Sequence, residues 1–175
     1  MPALPPPITL RQINADLLPD LQALYERSTG YFLRYGGAPA RPEQAALDYQ
    51  HVLESGNRVL LGIWWEGEMM VGCIDMRLDH PAAGVAWLGA VILQDELPGP
   101  RTDIETWALR ILEEWLRIAT PVSEIRLAVL VSDRQRVRFW HSQGYTATPE
   151  SLRQWVGERQ ERLVIYRKTL IPSTT

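Results

Sequence analysis

Residues 97–117, LPGPRTDIETWALRILEEWLR, join a loop containing Gly and Pro to the start of an amphipathic helix. Amides at a helix N-terminus bind anions such as phosphate, because they are unsatisfied donors at the positive end of the helix dipole. Asp103 and Glu105 in the first turn repel an anion, whereas Arg101 offsets them by offering a direct contact. The stretch is therefore either an anion cradle or only a capped helix.

The capped-helix interpretation rests on the spacing of two residues. Thr102 and Glu105 fit a capping box, in which the Thr102 hydroxyl accepts from the Glu105 N–H and the Glu105 carboxylate accepts from the Thr102 N–H. Pro98 and Pro100 have no N–H to offer an anion. The sequence predicts a helix start here and leaves anion binding open.

Asp75 is an acid in the middle of the apolar stretch MMVGCIDMRL, residues 69–78. A carboxylate in such a strand needs a partner or water. Asp75 is therefore either a general base, acting directly or through water, or the ion-pair partner of Arg77 or another cation.

Two other groups of side chains suit ligand binding. Tyr31, Phe32 and Tyr35 lie in a Gly-rich loop, where they either hold an apolar or cationic group or simply pack. Asp133 either contacts a ligand or caps the next helix, for which Ser132-x-x-Gln135 also has capping-box spacing. Arginines at 134, 136 and 138 either meet a phosphate or form a solvated helix face.

The composition is that of a single globular domain. Of 175 residues, 46% are hydrophobic and 22% charged, and the formal net charge of −3 disfavours a nucleic-acid binder. Cys73 is the only cysteine, which excludes an intrachain disulfide. No apolar run has the roughly 18 residues of a membrane span, and MPALPPP lacks signal-peptide features. We expect one cytoplasmic domain over residues 1–175, with its core at about 8–170 and with neither nucleic acid nor a membrane as partner.

The elements that must position these residues follow from hydrophobic periodicity, which predicts the order β α α β β β α β α β β. Strands are expected at residues 8–14, 58–65, 69–78, 85–93, 124–131 and 161–170, and helices at 15–28, 42–55, after the 97–101 loop, and at 133–143. Residues 28–42 are expected to be a loop, and 145–160 a strand and a loop. This order indicates an α/β (α+β) fold with a mixed, mostly antiparallel sheet and helices on both faces.

Periodicity also predicts which side chains are buried. Strict alternation in residues 69–78 places Met70 on one face, and Val71 with Asp75 on the other. The long helix after residue 101 is expected to bury one apolar stripe. That stripe comprises Ile104, Trp107, Ala108, Ile111, Leu112, Trp115 and Ala119.

Three stretches resemble the GCN5-related N-acetyltransferase (GNAT) family, and with the element order the resemblance covers residues 8–170. VGCIDMRLDHPAAGVAWLGAVIL is similar to the third and fourth strands of the family, and LPGPRTD lies where the family has Arg-Gly-x-Gly-x-Gly. SDRQRVRFWHSQGY resembles Asn-x-x-Ala-x-x-Phe-Tyr-x-x-x-Gly-Phe. In it Asp133, Arg136, Phe139-Trp140 and Gly144-Tyr145 occupy the corresponding positions.

The resemblance implies a V-shaped split between strands 4 and 5 that holds acetyl-CoA, with no metal. An amine on a small molecule or peptide would attack the thioester directly, and a homodimer through the last strands is an expectation. Asp75 is the candidate base, and Tyr31, Phe32 and Tyr35 would line the acceptor site. The implied cofactor residues are Val91, Ile92 and Leu93 for the pantetheine arm, Gly99, Arg101, Thr102 and Asp103 for the pyrophosphate, and Asp133 and Trp140 in the cleft.

Departures from the family pattern keep two hypotheses open. The two later glycines of the family loop are Arg101 and Asp103 here, and glycine lets a backbone approach a pyrophosphate closely. Trp140 replaces a tyrosine proposed as general acid, and an indole cannot protonate a thiolate. The chain is therefore either a CoA-dependent N-acyltransferase or a binding protein on the same scaffold that has lost catalysis.

Overall fold

The computed structural model describes residues 6–170. A 3-10 turn at Ala15–Leu17 precedes the first helix. The α-helices of this part of the chain are α1 (Leu18–Glu26), α2 (Thr29–Gly36), α3 (Gln44–Ser55), α4 (Arg101–Ala119) and α5 (Arg134–Ser142). Its strands are β1 (Ile8–Gln12), β2 (Arg58–Trp65), β3 (Met69–Arg77), β4 (Val85–Leu93), β5 (Glu124–Leu130), β6 (Thr146–Val156) and β7 (Arg159–Thr169).

The strands form one sheet in the order β1-β2-β3-β4-β5-β7-β6. Only β4 and β5 are parallel, and every other neighbouring pair is antiparallel. The predicted mixed, mostly antiparallel sheet is confirmed.

The helices cover both faces of this sheet. One core lies between the sheet and α4 with α5, and includes Leu112 and Trp140. The other lies beneath α1, α2 and α3, and includes Leu21 and Cys73. The layered arrangement predicted from the element order is confirmed.

The loop predicted for residues 28–42 is wrong over its first half, where α2 forms. The helix ends at Gly36 and is followed by its C-cap Gly37, whose φ of 75° favours glycine. Gly36, Gly37 and the aromatic residues favour a loop, but Tyr31 and Tyr35 follow helical spacing, and Tyr31 packs against the core beneath α1, α2 and α3. Three α-helices therefore separate β1 from β2, rather than two.

The strict alternation predicted for β3 is also wrong at its first residues. Val71 is an extra residue opposite the step from Ile63 to Trp64 of β2, so the strand has a β-bulge there. A bulge shifts the side chains that precede it to the opposite faces. Val71 therefore packs in the α4 core and Met70 in the α1–α3 core.

The buried stripe of α4 is rotated relative to the prediction. Trp115 is 40% exposed and Ile118 is 68% exposed, so part of the apolar surface of α4 faces outward. Glu105 is buried instead. The residues that α4 buries are Ile104, Glu105, Ala108, Leu109, Leu112 and Leu116.

No helix within residues 6–170 combines the length and apolarity needed to cross a bilayer. The expectation that the N-terminus is not a signal peptide concerns a segment whose first five residues lie outside the described part of the chain.

Candidate active site

β4 and β5 separate soon after they begin. They pair only from Val85 with Glu124 to Trp87 with Arg126. Within residues 6–170, no strand pairs with the β5-facing edge of β4 beyond Trp87. The V-shaped split predicted between strands 4 and 5 is therefore present.

Gly89 marks the point where β4 changes direction. Asp75 of β3 pairs with Ala90 and Met76 pairs with Leu88, so Gly89 is an extra residue without a β3 partner. Such bulges bend a strand and re-aim its groups. Gly89 is exposed and lines the opening.

The split opens into a cavity of about 600 Å³. Its walls come from β4, β5, α2, the first turn of α4, α5 and the tip of the β6–β7 hairpin. The cavity thus extends from the start of α4, on one face of the sheet, to α2, on the other. Named after the roles that the sequence resemblance implies, the former is its cofactor end and the latter its acceptor end.

The start of α4 is at the cofactor end, and it is not the predicted capping box. The helix begins at Arg101, one residue before Thr102, and no side chain caps it. Glu105 does not return to Thr102, because Arg136 of α5 holds it with hydrogen bonds of 2.8 and 2.6 Å. The predicted capping box is wrong because a tertiary ion pair takes the Glu105 carboxylate.

The Glu105–Arg136 pair is largely withdrawn from water. The side chain of Glu105 is 5% exposed and that of Arg136 is 27% exposed. Burial lowers the pKa of Arg136, but the hydrogen bonds that Arg136 donates to Glu105, together with the negative charge of Glu105, outweigh burial and raise that pKa above its ordinary value. Arg136 therefore stays charged, and for this residue the solvated-face interpretation is wrong.

Of the other predicted phosphate contacts, two line the cavity and two do not. Arg101 and Thr102 line the cavity, and the amides at a helix start have no carbonyl partner within the helix. The Arg101 guanidinium donates to the Gln94 carbonyl at 2.6 Å. Gly99 contacts Trp65 and Asp103 is exposed, and neither lines the cavity.

Asp133 caps α5. Its Oδ1 accepts from the Arg136 N–H at 3.1 Å, and its other oxygen is bound by Arg34 of α2. The side chain is 5% exposed and does not line the cavity. Of the two roles left open by the sequence, the structure shows the N-cap, and it shows no capping bond from Ser132.

Trp140 is buried and lines the cavity. Its ring lies edge-to-face with Tyr145, with centroids 5.1 Å apart, and Arg136 lies 5.1 Å from its centroid. Trp140 therefore packs in the wall of the cleft, and no phenol stands in its place to act as an acid.

Asp75 is on the α1–α3 face of the sheet, below the cavity. Arg58 of β2 binds both of its oxygens, at 3.0 and 2.6 Å. The predicted cation partner is thus Arg58 rather than Arg77. A Cβ atom built on Gly89 would lie 3.9 Å from Asp75 Cγ, so this carboxylate lies beside the β4 bulge that lines the cavity.

Tyr31 and Tyr35 line the acceptor end, whereas Phe32 packs beside Tyr25 with ring centroids 5.1 Å apart. Burial, followed by the nearby Tyr35 and Asp75, raises the pKa of Tyr31. Its hydroxyl therefore stays protonated near neutral pH and cannot serve as a base.

The cavity brings together seven of the thirteen predicted site residues and leaves six outside its lining. The seven are Tyr31, Tyr35, Val91, Leu93, Arg101, Thr102 and Trp140. The six are Phe32, Asp75, Ile92, Gly99, Asp103 and Asp133.

Of the cavity residues that matter chemically, sequence reasoning missed Trp155, and it considered Arg136 only as a phosphate contact or as part of a solvated helix face. Trp155 lines the acceptor end from the β6–β7 hairpin, and Arg34 and Arg136 add charge. An exposed Trp in a polar strand was a usable signal for Trp155. The pairing of Arg136 with a residue 31 positions away has no sequence signal.

No protein-family model matches the sequence, and no curated protein sequence matches it either. Solved structures do match the fold. An acetyltransferase from Thermus thermophilus is 20% identical with a TM-score of 0.73, over 93% of this chain and 97% of that one. A spermidine N-acetyltransferase from Vibrio cholerae, in complex with CoA and spermine, is 11% identical with a TM-score of 0.75, over 94% and 96%.

An acetyltransferase from Salmonella typhimurium that modifies the N-terminal serine of ribosomal protein L7/L12 has a TM-score of 0.78. It is 12% identical, over 94% of this chain and 95% of that one. The chain has the GNAT fold. The opening between β4 and β5 lies where the sequence resemblance implied a cleft.

Proposed function

We propose that this protein is an N-acyltransferase that moves an acyl group, most simply acetyl, from CoA to an amine on a small molecule or peptide. The observation that carries this proposal is the open β4 edge inside a cavity that reaches both faces of the sheet. A donor and an acceptor can therefore meet at β4 from opposite ends. The structural neighbours are acetyltransferases, and two of them were crystallised with CoA.

The cofactor end has groups that suit CoA. The free edge around Val91 and Leu93 offers backbone donors and acceptors to an extended pantetheine amide chain, as an added strand would use them. The amides of Arg101 and Thr102 face an anion with the helix dipole behind them. When bound, acetyl-CoA supplies the acyl group as a thioester.

Proton transfer requires a group that accepts the proton of the attacking ammonium. Asp75 remains our candidate, since each of its oxygens keeps a lone pair beyond the one that Arg58 occupies. Its side chain is 23% exposed, which leaves a path for the amine or a bridging water. A thiolate is a good leaving group, so transfer does not require an acid at Trp140.

The test is calorimetric titration of the purified protein with acetyl-CoA at moderate ionic strength. We expect saturable one-to-one binding with a Kd on the order of micromolar, about −8 kcal/mol. Binding should be followed by acetylation in a screen of small amines and peptides. Absence of binding at millimolar acetyl-CoA would contradict the proposal.

Two loop variants show whether the α4 start binds the pyrophosphate. Arg101→Ala should weaken binding if the guanidinium leaves Gln94 to contact the phosphates. Asp103→Gly should strengthen it by removing a repelling charge. Arg110→Ala, on the outer surface of α4, is the matched control and should leave the Kd unchanged.

The alternative function is a binding protein on the GNAT fold. It is favoured by Pro98 and Pro100, which lack amide donors, and by the engagement of Arg101 with the backbone of Gln94. Under this alternative neither acetyl-CoA nor CoA binds the wild-type protein, and Asp103→Gly does not restore binding.

A further inference from the structure

The acceptor end of the cavity is closed by contact between two distant segments. The Gly157 amide at the tip of the β6–β7 hairpin donates to the Tyr35 carbonyl of α2 at 3.0 Å. Gly37 and Gly157 are neighbours, and a Cβ on Gly37 would lie in van der Waals contact with the Gly157 Cα, at 3.4 Å. Both also have positive φ, so neither position readily accepts another residue. This contact fixes the side chains on either side of it.

Those side chains are aromatic. The rings of Tyr31 and Tyr35 have centroids 4.9 Å apart at an interplanar angle of 42°, and both line the cavity from α2. Trp155 lines it from the hairpin while remaining 67% exposed, and Trp87 lines it from β4. A Trp ring left mostly uncovered beside a cavity offers a large apolar face to a ligand.

The charges along the cavity disfavour a polycation. Among residues 6–170, the charged side chains in the lining are three arginines, at 34, 101 and 136, and two acids, Asp95 and Glu105. Arg136 already binds Glu105, and Asp95 accepts the Gly30 N–H at 3.1 Å. Arg34 binds Asp133, so Arg101 and Asp95 are the lining charges left outside these ion pairs. The lining therefore has no cluster of acids to compensate the several positive charges of a polyamine. One ammonium on an aromatic body would bring one charge and a ring.

We propose that the acceptor is a primary amine attached to an aromatic body, whose ring binds among Tyr31, Tyr35 and Trp155. This inference rests on the proposed function for the identity of the reaction, but ring binding does not require CoA. It separates this chain from the Vibrio cholerae neighbour, whose complex contains spermine. The side chains that set specificity would then come from α2 and the hairpin tip.

The experiment compares two amines as ligands, with and without saturating CoA, by calorimetry. 2-Phenylethylamine has one ammonium and a ring, and spermidine has several ammoniums and no ring. We expect 2-phenylethylamine to bind the wild-type protein about tenfold more tightly than spermidine. Tighter or equal binding of spermidine would overturn the inference. So would the absence of detectable binding of either amine at about 10 mM.

Variants locate the ring. Trp155→Ala should weaken 2-phenylethylamine binding about fivefold, and Trp155→Phe should retain most of it, because a ring remains for stacking. Trp115→Ala removes another exposed Trp, on α4 outside the cavity, and should leave the affinity for both amines unchanged. An unchanged affinity in Trp155→Ala would also overturn the inference.

The two proposals fail in different ways. If acetyl-CoA does not bind but 2-phenylethylamine does, the acyltransferase proposal is wrong and the aromatic site stands. If acetyl-CoA binds and spermidine is the better ligand and substrate, the acyltransferase proposal stands and the aromatic site is wrong.

Discussion

The two ends of the cavity use their side chains differently. At the cofactor end the charged groups bind one another or the backbone, as in Glu105 with Arg136 and Arg101 with the Gln94 carbonyl. At the acceptor end Tyr35 and Trp155 present ring surface that remains partly exposed. The first arrangement holds α4, α5 and β4 in place, whereas the second leaves apolar surface available to a ligand.

This difference separates stability from recognition. Removing one member of a buried charge pair leaves the other without compensation, which is costly to the fold. Removing a surface aromatic ring costs little in the folded protein and is felt when a ligand needs that ring. Substitutions at the cofactor end should therefore act on unfolding, and those at the acceptor end on binding.

The largest effect on stability is expected from Arg136→Met, which leaves the Glu105 carboxylate buried without its cation. The free energy of unfolding should fall by about 3–5 kcal/mol, measured by urea denaturation. The double variant Glu105→Leu with Arg136→Met removes both charges and should recover most of the loss. A fall below about 1 kcal/mol in the single variant would show that this end does not depend on the pair.

Asp75→Asn is expected to raise the activation free energy of acyl transfer, by less than the stability loss expected for Arg136→Met. Loss of a general base typically slows reaction by roughly 100-fold or more, about 2.7 kcal/mol in the barrier. The kcat for an accepted amine should fall while the Kd for acetyl-CoA changes little, as measured by steady-state kinetics and calorimetry. An unchanged kcat in folded protein would exclude Asp75 as the base.

Asp133 joins the two ends, since it caps α5 and binds Arg34 of α2. Asp133→Ala should lower the free energy of unfolding by about 1–2 kcal/mol, mostly from loss of the cap. Asp133→Asn keeps a cap acceptor and loses the charge, so its effect should be smaller. Equal losses in both variants would indicate that the ion pair matters more than the cap.

Local periodicity predicted the strands and the mixed, mostly antiparallel sheet, although it missed α2. The β4–β5 split was an implication of the resemblance to the GNAT family rather than of periodicity. The sequence predictions failed where tertiary contacts override local signals. Glu105 has the spacing of a capping-box partner, but Arg136 comes within reach only when α5 packs beside α4. Met70 and Val71 exchange faces because of a bulge that no residue type specifies.

The candidate site was predicted correctly where residue type alone indicates a ligand contact, and incorrectly where the position depends on tertiary packing. The ring chemistry of Tyr31 and Tyr35 predicts ligand contacts, and both side chains line the cavity, although they lie in α2 rather than in the expected loop. Phe32 belongs to the same run but turns into the core, because adjacent helical residues point in different directions. Trp155 was missed because its place depends on how the hairpin meets α2.

The smallest stability effect should come from Trp155→Ala, although it removes the largest side chain of the acceptor end. Because Trp155 is 67% exposed, the free energy of unfolding should change by no more than about 0.5 kcal/mol. Trp140→Ala is the matched control, since Trp140 lines the same cavity but is only 5% exposed, and it should cost about 3–5 kcal/mol. Urea denaturation of both variants measures the contrast. A loss above about 1.5 kcal/mol for Trp155→Ala would place the hairpin tip within the folded core, so that its ring could not be treated as surface held ready for a ligand.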